Sequence, residues 1–253
     1  MLDLDGVVWL SGEPIPGAGD AVGLLRAAGA RVVFVSNNSS PTMKTLLARL
    51  SVAGIQAGAG DILTSGQAAA AMLQPGATAL VVGDEGVMEA LAARGVHARR
   101  AADEAAVPGG RVDAVVVGYT ERFDYAVLRR AADAVRGGAR LIGTNEDATL
   151  PTPDGPLPGA GAILAAVVTA SGVVPEVAGK PHEPLATLVL GRAGRVASVV
   201  GDRPSTDGAL ARRLAAPFAL VLSGVTARAS DDPDPVPDFV ADDLLAVARE
   251  ATR

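Results

Sequence analysis

The chain has 253 residues, 49% hydrophobic and 20% charged, which is enough apolar material for a sizeable core and excludes disordered, collagen-like and coiled-coil classes. Cysteine is absent and only His97 and His182 are present, which excludes disulfides, thiolate catalysis and cysteine-ligated zinc, and argues against a multi-histidine metal site. The net charge of −6, the lack of a long apolar run and a start unlike a signal peptide predict a cytoplasmic protein that binds neither nucleic acid nor membrane.

Short apolar runs alternate with amphipathic segments along the chain. The predicted strands are Arg31–Val35, Ala79–Val82, Asp113–Val117, Arg140–Ile142, Ala197–Val200 and Phe218–Leu222. The predicted helices are Gly19–Ala28, Thr42–Ala53, Val87–Arg94, Tyr125–Arg136, Gly161–Ala170 and Thr206–Ala215. This alternation predicts an α/β fold of parallel βαβ units, in which polar groups at the carboxyl ends of strands carry the function.

Two interruptions of this pattern predict an inserted domain. One is the Ala-rich helix near Ser65, which runs towards Pro75-Gly76, and the other is Val173-Val174-Pro175. We therefore predict a split outer domain, residues 1–70 and 175–253, with an α/β domain of residues 71–174 inserted into it. The acidic, Pro-rich segment 231–243 is predicted to be a solvated loop before a final helix.

The motif Asp3-Leu4-Asp5-Gly6 places two acids one residue apart after a short apolar segment. The first carboxylate could attack phosphorus, and the second could protonate the leaving oxygen and then activate water. An Asp-Gly turn or a helix cap explains the motif equally well, so the motif alone does not decide. Strands usually have about 5–6 residues, and the two residues before Asp3 suggest that the natural chain begins earlier.

Ser36-Asn37-Asn38 follows the first predicted long strand. Small polar side chains and free backbone N–H groups at a strand end can hold phosphate oxygens. The helix that follows also needs a cap, and we predict Ser39 or Ser40 as its N-cap with Pro41 at its first position. The two interpretations involve different residues and are compatible.

A lysine and two further acids stand in the second half of the chain. Lys180, between Gly179 and Pro181, could neutralise a phosphate and the attacking carboxylate, although a lone lysine is more often a solvated surface residue. Asp202 directly follows a predicted strand, a position that suits Mg²⁺. Asp207 could support that metal or stabilise a helix dipole. His182 is predicted to be a solvated residue near the domain boundary.

These motifs occur in order at four predicted strand ends, as DLDGVVW, VSNNSS, AGKP and GDRPSTD. The predicted insert adds VVGDEGVMEAL, DAVVVGY, LIGTNEDATLPT and GPLPGAGAI. Over nearly its whole length the chain resembles the haloacid dehalogenase (HAD) superfamily phosphatases of subclass IIA, which include nitrophenylphosphatase-like, phosphoglycolate, pyridoxal-phosphate and glycerol-phosphate phosphatases. The resemblance implies a Rossmann-like parallel-sheet core with an inserted α/β cap domain of the C2a type.

The resemblance also implies a catalytic centre with Mg²⁺ as cofactor. Asp3 would be the phosphoryl-accepting nucleophile and a metal ligand. Asp5 would be the general acid/base, with its backbone carbonyl on the metal. Lys180 would neutralise charge, and Asp202 would hold Mg²⁺ with support from Asp207.

A second set of residues would bind the substrate. Ser36, Asn37 and Asn38 would cradle the phosphate together with Lys180. Asn145 and Asp147, in the cap, would lie over the site and help to select the leaving group. The implied partner is a small phosphorylated metabolite, and the subclass often pairs two copies through their caps.

The predicted activity is hydrolysis of small phosphate monoesters of the phosphoglycolate, glycerol phosphate, pyridoxal phosphate or aryl phosphate type. The nearest alternative is a phosphomutase or phosphotransferase of the same superfamily. A receiver-like phosphoacceptor module also uses acids and a lysine around Mg²⁺, but the position of Asp202 and Asp207 after Lys180 disfavours it. A non-catalytic nucleotide- or sugar-binding protein is the third alternative, and Asp5 argues against a dehalogenase.

Overall fold

The computed structural model describes residues 1–10, 12–103, 112–150, 155–226 and 233–253. Its strands, in chain order, are β1 (Leu2–Asp3), β2 (Trp9–Leu10), β3 (Glu13–Pro14), β4 (Phe34–Ser36), β5 (Ile62–Thr64), β6 (Thr78–Val82), β7 (His97–Arg100), β8 (Ala114–Val117), β9 (Arg140–Gly143), β10 (Thr149–Leu150), β11 (Leu157–Pro158), β12 (Glu176–Val177), β13 (Val199–Gly201), β14 (Phe218–Val221) and β15 (Phe239–Ala241).

The helices are α1 (Ala18–Ala27), α2 (Met43–Val52), α3 (Ser65–Ala71), α4 (Glu85–Ala93), α5 (Tyr125–Arg136), α6 (Ala160–Ser171), α7 (Glu183–Ala193), α8 (Ala209–Arg213) and α9 (Leu244–Ala251). The sequence of α5 shows why these segments form helices. The Asp124 side chain caps its start by accepting the Val127 N–H, and Val127, Ala131 and Val135 form a buried stripe at four-residue spacing. None of the helices in the described ranges is both long and apolar enough to cross a membrane.

The first sheet has the strand order β15-β14-β13-β1-β4-β5, and all its pairings are parallel. The central strand β1 pairs through Leu2 with Phe34 on one side and Val200 on the other. The carboxyl ends of β1, β4 and β13 therefore meet at one edge of the sheet. Strands β4 and β5 lie on one side of β1, and the later strands β13, β14 and β15 lie on the other, so the strand order reverses at β1. Such a reversal opens a crevice at the carboxyl edge of a parallel sheet, which is where ligands bind in such folds.

The second sheet has the order β12-β9-β8-β6-β7 and is also parallel. It is formed by a continuous stretch of the chain inserted between β5 and β13, as the sequence predicts. The predicted boundary after residue 174 assigns β12 to the outer domain, but β12 pairs with β9, and Glu176 accepts two hydrogen bonds from Arg140. We therefore propose that the insert extends to Val177.

One apolar cluster spans the two sheets, and each sheet also packs on a further cluster of its own. A single buried cluster contains Val35 of β4, Val81 of β6, Ile142 of β9 and Leu185 of α7. Helix α3 contacts both α4 of the insert and α7 of the outer domain. Each large aliphatic side chain buried there contributes about 1.5–3 kcal/mol, so the insert is held by the same hydrophobic effect that stabilises the rest of the chain.

The predicted cap of α2 is wrong. Its N-cap is Thr42, whose hydroxyl accepts the Thr45 N–H at 3.2 Å. Ser39 and Ser40, predicted as alternatives, instead donate their hydroxyls to the insert, to Thr144 at 3.1 Å and to Asp84 at 2.7 Å. The helix therefore begins at Met43, so Pro41 is not its first residue as predicted, and the two serines connect the outer domain to the insert.

The helix predicted at Thr206–Ala215 starts later, at Ala209. Before it, residues Pro204–Gly208 form one wide π-helical turn, in which the Gly208 N–H donates to the Arg203 carbonyl at 3.4 Å. The Asp207 side chain accepts the Arg203 N–H at 3.1 Å and so satisfies a donor that has no partner inside the turn. The predicted final helix is confirmed as α9. Residues 231 and 232 of the predicted acidic loop lie outside the described residues.

Candidate active site

Three buried carboxylates meet at the carboxyl edge of the first sheet. Asp3 ends β1, Asp202 follows β13, and Asp207 comes from the wide turn before α8. One oxygen of each lies within 4.8 Å of the other two, and all three residues are at most 6% exposed. Lys180, 3% exposed, places its Nζ 2.7 Å from Asp3 Oδ1 and 2.6 Å from Asp207 Oδ1. The sheet thus brings together residues that are up to about two hundred positions apart in sequence.

The electrostatics of this cluster follow from its burial. Burial, together with the nearby Asp207, raises the pKa of Asp3 well above its usual range, against the lowering effect of Lys180. Burial and Asp207 likewise raise the pKa of Asp202 to about 6. Burial alone would lower the pKa of Lys180, but Asp207 and Asp3 outweigh it and raise this pKa. Three carboxylates thus face one ammonium, and the site favours a further cation.

The donor set of the cluster fits Mg²⁺. Asp207 uses both carboxylate oxygens within the protein, for Lys180 and for the Arg203 N–H. Asp3 Oδ1 binds Lys180 and the Leu4 N–H, and Asp202 Oδ2 accepts the Val225 N–H at 2.6 Å. Within the described part of the chain, Asp3 Oδ2 and Asp202 Oδ1 accept no hydrogen bond, and such carboxylate oxygens are the ligands that Mg²⁺ prefers.

Glycines make room for Asp202. A Cβ atom on either Gly6 or Gly224 would overlap the Asp202 carboxyl group. Gly6 also has φ 83°, in the left-handed region that favours glycine. The glycine of the Asp3-Leu4-Asp5-Gly6 motif therefore serves both the turn after the acids and the approach of the third acid.

Asp5 lies beside this cluster but outside the group of three carboxylates. Its Oδ1 accepts the indole N–H of Trp9 at 3.0 Å, and its Oδ2 accepts the Ser36 hydroxyl at 3.4 Å. Burial raises the pKa of Asp5, and the hydrogen bond from Trp9 opposes this shift in part. A carboxyl group with a raised pKa is suited to proton transfer.

The loop after β4 forms a compact polar turn. The Ser36 hydroxyl accepts the Asn38 N–H at 3.0 Å, and the Asn38 side chain accepts the Ser40 N–H at 3.0 Å. Ser36 and Asn37 are buried, whereas Asn38 is half-buried. The three predicted phosphate-binding residues thus lie on one turn beside Asp5.

The predicted cap residues Asn145 and Asp147 also reach the site. Together with Asp3, Asp5, Asp202 and Lys180, they line a cleft between the insert and the outer domain. The remaining lining residues include groups that the sequence analysis did not predict to bind substrate, namely Ser39, Tyr119, Thr149, Leu150, Gly159, Ala160, Arg203, Thr206 and Val225. All of these except Val225 lie inside the motifs quoted above, but nothing in those motifs shows that their side chains face the cleft.

His182 lies at the junction of the insert and the outer domain, as predicted. Its Nε2 is 2.8 Å from Glu146 Oε2, and its side chain is about one-third exposed. It does not line the cleft described above.

Two family sequence models match the chain. One, described as haloacid dehalogenase-like hydrolase, matches residues 1–97, and the other, described as HAD-hydrolase-like, matches residues 177–247. The matched stretches contain the first-sheet strands and all three clustered carboxylates. The stretch between them contains most of the second sheet.

The chain is also similar to characterised proteins over nearly its full length. It is 36% identical to a D-glycerol 3-phosphate phosphatase of Mycobacterium tuberculosis, over 99% of this chain and 71% of that protein. It is 33% identical to an acid sugar phosphatase of Staphylococcus saprophyticus, over 99% of this chain and 96% of that protein.

Solved structures give the same result. A p-nitrophenyl phosphatase from Archaeoglobus fulgidus superimposes with a TM-score of 0.88 at 32% identity, covering 99% of this chain and 97% of that one. The glycerol phosphate phosphatase of M. tuberculosis in complex with magnesium superimposes with a TM-score of 0.86 at 36% identity, covering 98% and 75%.

Proposed function

The chain belongs to the haloacid dehalogenase-like hydrolases, and from this membership we propose that it is a Mg²⁺-dependent phosphatase that hydrolyses small phosphate monoesters through an aspartyl-phosphate intermediate. The observation that carries the proposal is the buried group of Asp3, Asp202 and Asp207 around Lys180. Asp3, Asp202 and Lys180 line a cleft whose other side is formed by residues of the insert. Its relatives are named as phosphatases of glycerol phosphate, sugar phosphates and p-nitrophenyl phosphate.

In the first half of the proposed reaction, one carboxylate oxygen of Asp3 attacks phosphorus. A bond forms between Asp3 and phosphorus while the ester oxygen leaves, and Asp5 donates a proton to that oxygen. Burial raises the pKa of Asp5, which favours the protonated carboxyl group that this step needs. Lys180 and the N–H groups after Ser36 balance the negative charge on the transferring phosphoryl oxygens.

In the second half, water hydrolyses the aspartyl-phosphate. Asp5, now a carboxylate, takes a proton from the water as the water attacks phosphorus, and the Asp3 carboxylate is regenerated with release of inorganic phosphate. Asp3 and Asp202 would hold Mg²⁺, which, when bound, supplies positive charge to the phosphate oxygens. Asp207 holds Lys180 in place rather than offering the metal a free oxygen.

The direct test is phosphate release from p-nitrophenyl phosphate, glycerol 3-phosphate, phosphoglycolate, pyridoxal phosphate and a sugar phosphate, with and without Mg²⁺. We expect turnover that requires Mg²⁺, needs no bisphosphate activator, and falls at least about 1,000-fold in Asp3→Asn. Asp20→Asn, an exposed acid on α1, is the matched control and should keep full activity. A folded protein without turnover on any ester, or an active Asp3→Asn variant, would overturn the proposal.

We further propose a cytoplasmic location and pairing of two copies through the insert. Tyr125 and Val174 of the insert are exposed apolar side chains, 80% and 85% exposed, that such an interface would cover. Light scattering on the purified protein measures the oligomeric state, and cell fractionation measures the location. A monomer at micromolar concentration would refute the pairing.

A further inference from the structure

Asn145, a residue of the insert, has a side chain that is fully engaged by the protein. It is 4% exposed. Its amide nitrogen donates to the Asn37 carbonyl at 2.7 Å and to the Thr144 hydroxyl at 3.5 Å, and its amide oxygen accepts the Asp147 N–H at 3.0 Å. An amide has two donors and one acceptor oxygen, so little capacity is left for a substrate.

Asp147 is engaged in the same way. One carboxylate oxygen accepts the Asn37 side-chain N–H at 3.0 Å, and the other lies 3.6 Å from the Arg203 guanidinium. Arg203 directly follows the candidate metal ligand Asp202 in the chain. Both oxygens of Asp147 are therefore directed at residues of the outer domain.

Both contacts converge on Asn37, which is 7% exposed. Its side-chain oxygen accepts the Lys180 N–H at 2.7 Å, and its side-chain nitrogen donates to Asp147 and to the Lys180 carbonyl at 3.3 Å. Its backbone carbonyl accepts the Ser65 hydroxyl at 2.6 Å as well as Asn145. Asn37 thus ties the turn after β4 to the backbone of Lys180.

We propose that Asn145 and Asp147 are positioning residues, which hold Asn37 and through it the phosphate-binding turn and Lys180, rather than residues that select the leaving group. This inference rests on the proposed phosphatase function. Selection of the leaving group then falls to other residues that line the cleft, such as Tyr119 and Leu150.

The physical reason is the cost of leaving a buried amide unpaired. Without Asp147 or Asn145, Asn37 loses a partner in a place that water reaches poorly, and the turn must rearrange to recover it. A displacement of about 1 Å at a reacting group can lower a rate by about 100-fold. Such a displacement affects every substrate equally, because all substrates present the same phosphate to the turn and to Lys180.

The first test compares two substrates that share the phosphate and differ in the leaving group. For Asp147→Ala and Asn145→Ala, we expect kcat to fall about 10- to 100-fold on both p-nitrophenyl phosphate and glycerol 3-phosphate. The ratio of kcat/KM between the two substrates should stay within about twofold of wild type. Retained kcat with a shift of more than about fivefold in that ratio would overturn the inference.

The second test is a double-mutant cycle with Asn37→Ala. If Asp147 acts through Asn37, adding Asp147→Ala to Asn37→Ala should cost no further activity beyond about twofold. Multiplicative losses would overturn the inference. Circular dichroism and the melting temperature give the folded fraction of each variant, and kcat is normalised to that fraction. A variant that only loses stability then keeps its normalised kcat, and this result would count against the inference.

Glu146→Gln is the matched control. Glu146 lies between the two positioning residues and also contacts the outer domain, but through His182 outside the cleft. We expect the kcat of this variant to stay within about twofold of wild type. A fall as large as that of Asp147→Ala would overturn the inference, because the loss of any contact between this loop and the outer domain would then lower kcat. If the wild-type protein turned over no ester, the proposed function would fail and this inference with it. If the wild type is active but the losses of Asn37→Ala and Asp147→Ala multiply in the double variant, only this inference is refuted.

Discussion

At the scale of single residues, the site is defined by negative charge held out of water. Asp3, Asp202 and Asp207 lie close together and are buried, and Lys180 balances only part of their charge. Such clusters destabilise a folded protein unless a proton or a cation compensates them. The free energy of unfolding of this protein should therefore depend on pH and on Mg²⁺ together.

The pKa of Asp202 gives this dependence a sign. It rises from an ordinary value of 3.8 to about 6 in the metal-free fold, so protonation stabilises the fold at low pH, and that stability is lost as the pH rises through about 6. Mg²⁺ replaces the proton above this pH. We expect the rise in melting temperature caused by Mg²⁺ to be larger at pH 7.5 than at pH 5, as measured by differential scanning fluorimetry.

Asp202→Asn is the control for this measurement, since it should abolish most of the Mg²⁺ response at both pH values. An equal Mg²⁺ effect at pH 5 and pH 7.5 in the wild type would contradict the prediction.

Gly224 provides a second prediction at this scale. A Cβ on Gly224 would overlap the Asp202 carboxyl group, so Gly224→Ala must displace the acid. We expect Mg²⁺ affinity, measured by titration calorimetry, to fall about 10-fold or more. Gly191→Ala, in α7 with open space around its Cβ position, should bind Mg²⁺ normally and gain up to about 1 kcal/mol of stability.

Sequence reasoning singled out Asp3, Asp202 and Lys180 because each stands at or shortly after the end of a strand in a short motif, and the structure brings their side chains together. It could not reveal how Asn145 and Asp147 are used. Their partner Asn37 is 108 and 110 positions away. Whether the side chains of Asn145 and Asp147 face a ligand or another loop depends on how the two domains pack. A local sequence pattern contains no information on that packing.

At the scale of elements, α4 of the insert packs directly on the loop that follows the turn proposed to bind phosphate. The Gly86 N–H donates to the Ser40 carbonyl at 2.9 Å. A Cβ at Gly86 would overlap the carbonyl oxygens of Ser39 and Pro41. This close approach exists because residue 86 has no side chain.

An alanine in a helix is ordinarily more stable than a glycine by about 1 kcal/mol. At Gly86 we expect the opposite sign, because α4 must move away from the loop. Gly86→Ala should lower both the melting temperature and kcat, whereas Gly23→Ala, in α1 with open space around it, should raise the melting temperature slightly. A Gly86→Ala variant as stable and active as wild type would show that this contact is dispensable.

The elements that sequence reasoning found are those with strong patterns. Tyr125–Arg136 is predicted with its correct bounds because Asp124 caps it and its apolar stripe is regular. The edge strands β7 and β15 were missed because they are half-exposed and carry little apolar alternation. Helix α7 was missed because apolar residues surround much of its circumference, which weakens the helical period.

At the scale of the whole molecule, the shared apolar cluster changes how the insert should behave. A cap joined to the core only by linkers would unfold by itself. Here Val35, Val81 and Ile142 belong to one cluster that crosses both sheets, and α3 packs on helices of both domains. The insert and the outer domain should therefore unfold together.

Scanning calorimetry tests this expectation. We predict a single thermal transition whose calorimetric and van't Hoff enthalpies agree, with a ratio of about 1. Gly86→Ala should shift this one transition without splitting it. Two resolved transitions in the wild type would mean that the insert is an independent unit.

The hydrogen bond from the Trp9 indole to Asp5 has a consequence for following the reaction. Trp9 is the only tryptophan of the chain, and its nitrogen lies 3.0 Å from the carboxyl group that is proposed to move protons. Indole emission responds to the charge of a bonded carboxyl group. The fluorescence of Trp9 should therefore report the protonation state of Asp5. Stopped-flow fluorescence after rapid mixing with substrate should record the protonation of Asp5 within a single turnover.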